Sequence, residues 1–92
     1  MKIKITTTFE KAAKKFHRHQ IKLIEDAIDE IINDADIGEL KKGDLAGVRV
    51  YKFRINNQLI LLTYLHNDSK KEITLLSLGA HENFYRDLKK SL

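Results

Sequence analysis

The sequence predicts a single α+β domain: an N-terminal strand, a helical hairpin, a three-stranded antiparallel meander and a C-terminal helix. Three observations carry this expectation. Residues 59–65, LILLTYL, are almost unbroken apolar sequence, as in a strand covered on both faces and therefore central. Residues 9–32 place apolar side chains at helical spacing with no Gly or Pro among them. The chain has 92 residues, 42% of them hydrophobic, enough for one core and not for two, since a chain of this size buries only about two thirds of its extended surface.

Taken in order, Lys2, Ile3, Lys4, Ile5 and Thr6 alternate wet and dry, the pattern of a short strand whose lysines suit a sheet edge. Thr7 followed by Glu10 has capping-box spacing and predicts a helix start. The helical stripe that follows is too long for one rod. About 25 residues at 1.5 Å each would span roughly 37 Å, against about 32 Å for a compact domain of this length. The polar run HRHQ at 17–20 interrupts the stripe, so the break is placed there, with antiparallel helices on either side and the second over about residues 21–33. Glu25, Asp26, Asp29 and Glu30 then form its solvated face.

Residues 34–47 read as a loop punctuated by Gly38, Gly43 and Gly47 and ordered by packing of Ile37, Leu40 and Leu45. Alternation through residues 48–55 sets Lys52 and Arg54 on one face of a strand and Arg49 on the other. Asn56 and Asn57 tolerate positive φ and suit a tight hairpin into the central strand. Asn67, Asp68 and Ser69 mark the next turn, residues 72–78 the third strand of the meander, and Gly79 the exit into a last helix with Phe84, Leu88 and Leu92 on one face.

Cysteine is absent, which removes disulfides and thiolate metal sites and points to a reducing, cytoplasmic setting. No apolar run is long enough for a signal peptide or a membrane span. The net charge of +4 is unevenly placed: residues 1–20 sum to +5, residues 21–45 to −5 and residues 46–92 to +4. Such a chain attracts polyanions at its ends and not at its middle. His17 and His19, two apart on a helix, should diverge and lack a third ligand, so no metal is expected there. His66 lies near a turn with no evident partner.

The leucine–glycine approach to a basic strand in LAGVRVYKFR at 45–54, the strand ending Leu62, Thr63, Tyr64, and GAHENFYRDLKK at 79–90 together resemble the small toxins of bacterial type II toxin–antitoxin modules, the RelE/ParE superfamily. The likeness covers nearly the whole chain. It implies a toxin partnered by a cognate antitoxin, and two possible mechanisms. RelE-like members cleave mRNA in the ribosomal A site without metal or other cofactor. ParE-like members inhibit DNA gyrase and are not nucleases.

Metal-free RNA cleavage needs a group to deprotonate the ribose 2′-OH, a donor for the departing 5′-oxygen, and cations facing the phosphorane. The resemblance puts Lys52 and Arg54 at the two strand cations, His81 where an Arg or His contacts phosphate or moves a proton, and Tyr85 at the C-terminal tyrosine. Placed on one helix, His81 and Tyr85 are a turn apart on a shared face. Plainer roles fit the same residues: Lys52 and Arg54 as the solvated part of a strand, His81 in a local hydrogen bond, and Tyr85 beside Phe84 in the core. One position departs from the RelE-like pattern. Leu61 stands where those nucleases carry a catalytic arginine, and lacking such a cation is worth about 2.7–4 kcal/mol of transition-state stabilisation by analogy with oxyanion sites.

Overall fold

The computed structural model describes residues 1–43 and 46–80. Strand β1 (Lys2–Ile5) leads into helices α1 (Thr7–Ala13) and α2 (Arg18–Asn33), then strands β2 (Glu39–Leu40), β3 (Arg49–Ile55), β4 (Gln58–Asn67) and β5 (Glu72–Ala80). These form one mixed sheet in the order β1-β5-β4-β3-β2, so β4 is the central strand. The meander β3–β4–β5 is antiparallel, and β1 adds in parallel beside β5. The closing helix expected from the sequence lies outside the described residues, as does Leu45.

Helix α1 starts one residue earlier than the Thr7–Glu10 spacing suggests. Thr6 is the N-cap: its hydroxyl accepts from the Phe9 amide at 3.1 Å and donates to the Leu76 carbonyl at 2.8 Å, tying the helix start to β5. The interhelical break also falls earlier, at 14–17. His17 is the N-cap of α2, and the Gln20 side chain accepts from the His17 amide at 2.8 Å. The polar run that interrupts the apolar stripe is therefore the first turn of α2, its glutamine closing a capping box. Helix α2 buries Ile24, Ala27 and Ile31, and burial of each isoleucine is worth about 1.5–3 kcal/mol. Glu25, Asp26, Asp29 and Glu30 are all exposed, as the helical period requires.

Both helices cover one face of the sheet. Phe9, Ile24 and Ile31 pack there with Ile55, Ile60, Leu62, Tyr64, Ile73, Leu75 and Leu78. A second cluster, Val48, Val50, Leu61 and Leu76, occupies the opposite face. Both faces of β4 are buried from Ile60 to Tyr64, which accounts for its continuous apolar sequence. A bulge between Thr63 and Tyr64 shifts their partners from Ser77 to Leu75. Leu76 and Ser77 consequently both face the second cluster, where the Ser77 and Thr63 hydroxyls bond to one another.

The segment 34–47 is not the hydrophobically packed loop expected. Ile37 and Leu40 are 39% and 50% exposed, and Glu39 and Leu40 pair with β3 as a short edge strand. Polar bonds hold the segment instead: the Tyr64 hydroxyl donates to the Ala35 carbonyl at 2.7 Å and accepts from the Gly38 amide at 3.0 Å. Asn56 and Asn57 turn the β3–β4 hairpin at φ 49° and 69°, the left-handed pair a two-residue type I′ turn needs. Strand β5 runs through Gly79 to Ala80, so Gly79 lies within the strand and is not its exit.

Candidate functional site

The β3–β4 hairpin fixes the two strand cations. Its two-residue turn sets the register Lys52↔Leu61 and Arg54↔Leu59, and alternation puts Val50, Lys52 and Arg54 on the face away from the helices. Tyr51 and Phe53 face the helices, their rings stacked at 6.0 Å. Lys52 and Arg54 are both exposed. Arg54 donates to the Asn57 carbonyl at 3.1 Å, which steadies the guanidinium at the hairpin end without neutralising it. Neither side chain has a carboxylate partner among the described residues.

Arg49 is committed elsewhere. It donates to the Gly38 carbonyl at 2.9 Å and pairs with Asp36 at 3.2 Å on the helix side, as its place in the alternation requires. His66 has partners the sequence did not reveal: Nδ1 lies 3.4 Å from Asp36 and Nε2 3.9 Å from Asp68. The Asp36 contact joins residues 30 apart, and no local spacing announces it. Arg49, Tyr64 and His66 thus hold the segment after α2. Burial pushes the Tyr64 phenol above its ordinary range, the Gly38 amide and Arg49 opposing that shift.

Leu61 is 1% exposed, in the second cluster directly across from Lys52. The position where RelE-like nucleases carry arginine is here part of the apolar core. His17 and His19 do not diverge: because His17 is the N-cap and not a helical residue, the two rings stack at 5.9 Å, parallel within 2°. Among the described residues no group of three His, Cys, Asp or Glu is arranged to hold a metal ion, and no helix is long and apolar enough to cross a membrane.

His81 and Tyr85 lie outside the described residues. The strand leading to them is described, and its register is informative. Phe53, Ile60 and Ala80 form one row across β3, β4 and β5, while Lys52, Leu61 and Gly79 form the next. Strands in a sheet lie about 4.8 Å apart, so Ala80, the residue before His81, sits about 10 Å from β3 at a level between Lys52 and Arg54.

A sequence profile described as the ParE-like toxin of type II bacterial toxin–antitoxin systems matches residues 3–89. The chain belongs to this family. It is therefore a toxin of a type II toxin–antitoxin module. No curated protein matches it in sequence. Among solved structures, the toxin RelE of Escherichia coli, as a mutant in the free state, is similar with a TM-score of 0.71 at 14% identity, covering 98% of this chain and 90% of that one. The RelBE2 toxin–antitoxin complex of Mycobacterium tuberculosis is similar with a TM-score of 0.68 at 18% identity, covering 87% and 96%. A conserved hypothetical protein from Helicobacter pylori gives 0.60 at 20% identity, covering 89% and 96%. The toxin thus has the RelE fold, and its α+β architecture is the one its sequence predicts.

Proposed function

We propose that this toxin inhibits translation as a metal-independent, ribosome-dependent mRNA endoribonuclease. One observation carries the reading: Lys52 and Arg54 are neighbouring exposed cations on β3, free of carboxylate partners among the described residues and level with Ala80, the residue before His81. In this reading Lys52 and Arg54 hold the phosphate, and His81 and Tyr85 move the protons. The 2′-OH loses its proton and its oxygen attacks phosphorus. The bond to the 5′-oxygen breaks, and that oxygen takes up a proton, leaving a 2′,3′-cyclic phosphate and a 5′-hydroxyl. Leu61 supplies no charge, so the exposed pair carries the electrostatic stabilisation that a third cation would share.

The test is induced expression followed by mapping of mRNA 5′ ends on ribosomes. Wild type should generate new ends within coding sequence, and His81→Ala and Tyr85→Phe should abolish them while the folded protein still accumulates. A second reading, a ParE-like toxin that binds a protein target such as DNA gyrase, draws on the burial of Leu61. It predicts no new mRNA ends, inhibition of gyrase supercoiling, and indifference to His81→Ala.

The cognate antitoxin is the expected partner in either case. A groove between α2 and β3, lined by Leu23, Ala27, Tyr51 and Phe53 with Asp26, Glu30 and Arg54 beside them, suits an amphipathic antitoxin segment whose basic residues meet the two acids. Leu23 is 39% exposed there, available for burial on binding.

A further inference from the structure

Helix α2 carries its charges against its own dipole. Residues 11–24 hold five cations, Lys11, Lys14, Lys15, Arg18 and Lys22, and no acid, whereas residues 25–36 hold six acids and no Lys or Arg. Within α2 no acid lies in the first turn and no base in the last. A helix end bearing free amides favours anions and one bearing free carbonyls favours cations, so both ends of α2 are charged unfavourably. Packing does not require this, because all five cations are exposed. Arg18 and Glu30, near the two ends of α2, are 12 residues apart, about 18 Å and roughly two Debye lengths at physiological salt, so the two ends act as separate patches.

The basic pole lies on the helix side of the sheet, across the sheet from Lys52, and reaches the described end of β5. Lys15 and Phe16 line one cleft together with Gln58, Ile60, Gly79 and Ala80. Ala80 precedes His81, and Gln58 follows the turn whose Asn57 carbonyl accepts from Arg54. Lys14 and Lys22 are tied to Glu10 and Asp26 at 3.3 and 2.8 Å. Lys11, Lys15 and Arg18 have no carboxylate partner among the described residues. Lys11 lies in the last turn of α1, Lys15 in the turn just after it, and Arg18 at the start of α2.

We propose that Lys11, Lys15 and Arg18 form a second phosphate-tracking surface, on the helix side of the sheet, which holds single-stranded RNA after it has passed round the sheet from the candidate site. The choice of RNA rests on the nuclease reading; the placement of the surface rests on the charge arrangement alone. The three side chains contact phosphate and not base edges, so they add affinity and salt dependence without sequence preference.

The test compares wild type, the triple variant Lys11→Gln, Lys15→Gln, Arg18→Gln, and the pair Lys52→Gln, Arg54→Gln, after thermal melts show that all three fold. Each is titrated with a labelled single-stranded RNA oligonucleotide and with a DNA duplex of equal charge across a salt series. The triple variant should bind RNA on the order of tenfold more weakly, with the slope of log K against log salt reduced by about 2, roughly 0.7 for each lost phosphate contact. Unchanged RNA affinity and slope in the triple variant would overturn the proposal, as would a loss confined to the DNA duplex. Assaying the same proteins for mRNA cleavage on ribosomes keeps the two readings apart. Pole-dependent RNA binding without cleavage sinks the nuclease reading and leaves this surface standing, whereas cleavage with binding indifferent to the triple variant does the reverse.

Discussion

Ordering the segment after α2 falls largely to one phenol. Tyr64 is fully buried, and its hydroxyl gives one bond to Ala35 and takes one from Gly38. Tyr64→Phe keeps the ring but strands the buried Gly38 amide, so it should destabilise by about 1–3 kcal/mol in urea titration. The sign of the pH effect follows from the raised phenol pKa. The folded state holds this proton more tightly than the unfolded chain does. The contribution of Tyr64 to stability is therefore whole below the unfolded value near 10 and is lost as pH climbs through the higher folded value. Wild type should lose stability in that alkaline window by more than Tyr64→Phe does. Gly38→Ala tests the same anchor from the other side. A Cβ there would lie 2.8 Å from the Tyr64 hydroxyl and 2.9 Å from the ring, and a buried ring has nowhere to retreat, so about 1–3 kcal/mol should be lost.

The elements differ in how openly the sequence announced them. The β3–β4 hairpin was legible because Asn56 and Asn57 are side chains that a left-handed turn selects. Asn57→Val should cost about 1–2 kcal/mol in thermal or urea melts, as a β-branched residue resists that conformation, whereas Asn57→Gly should be neutral or slightly stabilising. The centrality of β4 was legible from its unbroken apolar run. Strand β2 was not, because its two residues pair through backbone alone and leave Leu40 in solvent. The start of α2 was misplaced because HRHQ reads as an interruption of the stripe, whereas Gln20 bonds back to His17 and begins the helix. Contacts of Asp36 with Arg49 and His66 join residues 13 and 30 positions apart, a separation no local pattern records.

At the scale of the whole molecule, the sheet divides the labour between its faces. One carries both helices, with the groove beside α2; the other presents Lys52 beside a buried Leu61, and Arg54, at the hairpin end, also lines the groove. The sequence located these two cations on a common face because a period of two is local information. It could not show that Leu61 is core, since that depends on what three strands bring together. Leu61→Arg should destabilise the fold by about 3 kcal/mol or more, because the new charge enters an apolar cluster without a partner. On the nuclease reading, one phosphodiester must reach both Lys52 and Arg54 and the residues after Ala80, which the register sets about 10 Å from β3. End-group analysis of mRNA incubated with purified translating ribosomes and toxin tests that claim most directly. The account predicts new 5′-hydroxyl ends paired with 2′,3′-cyclic phosphates, lost in Lys52→Gln, Arg54→Gln by a hundredfold or more in rate. Intact mRNA with wild-type toxin, or cleavage that the double variant leaves undiminished, would contradict it.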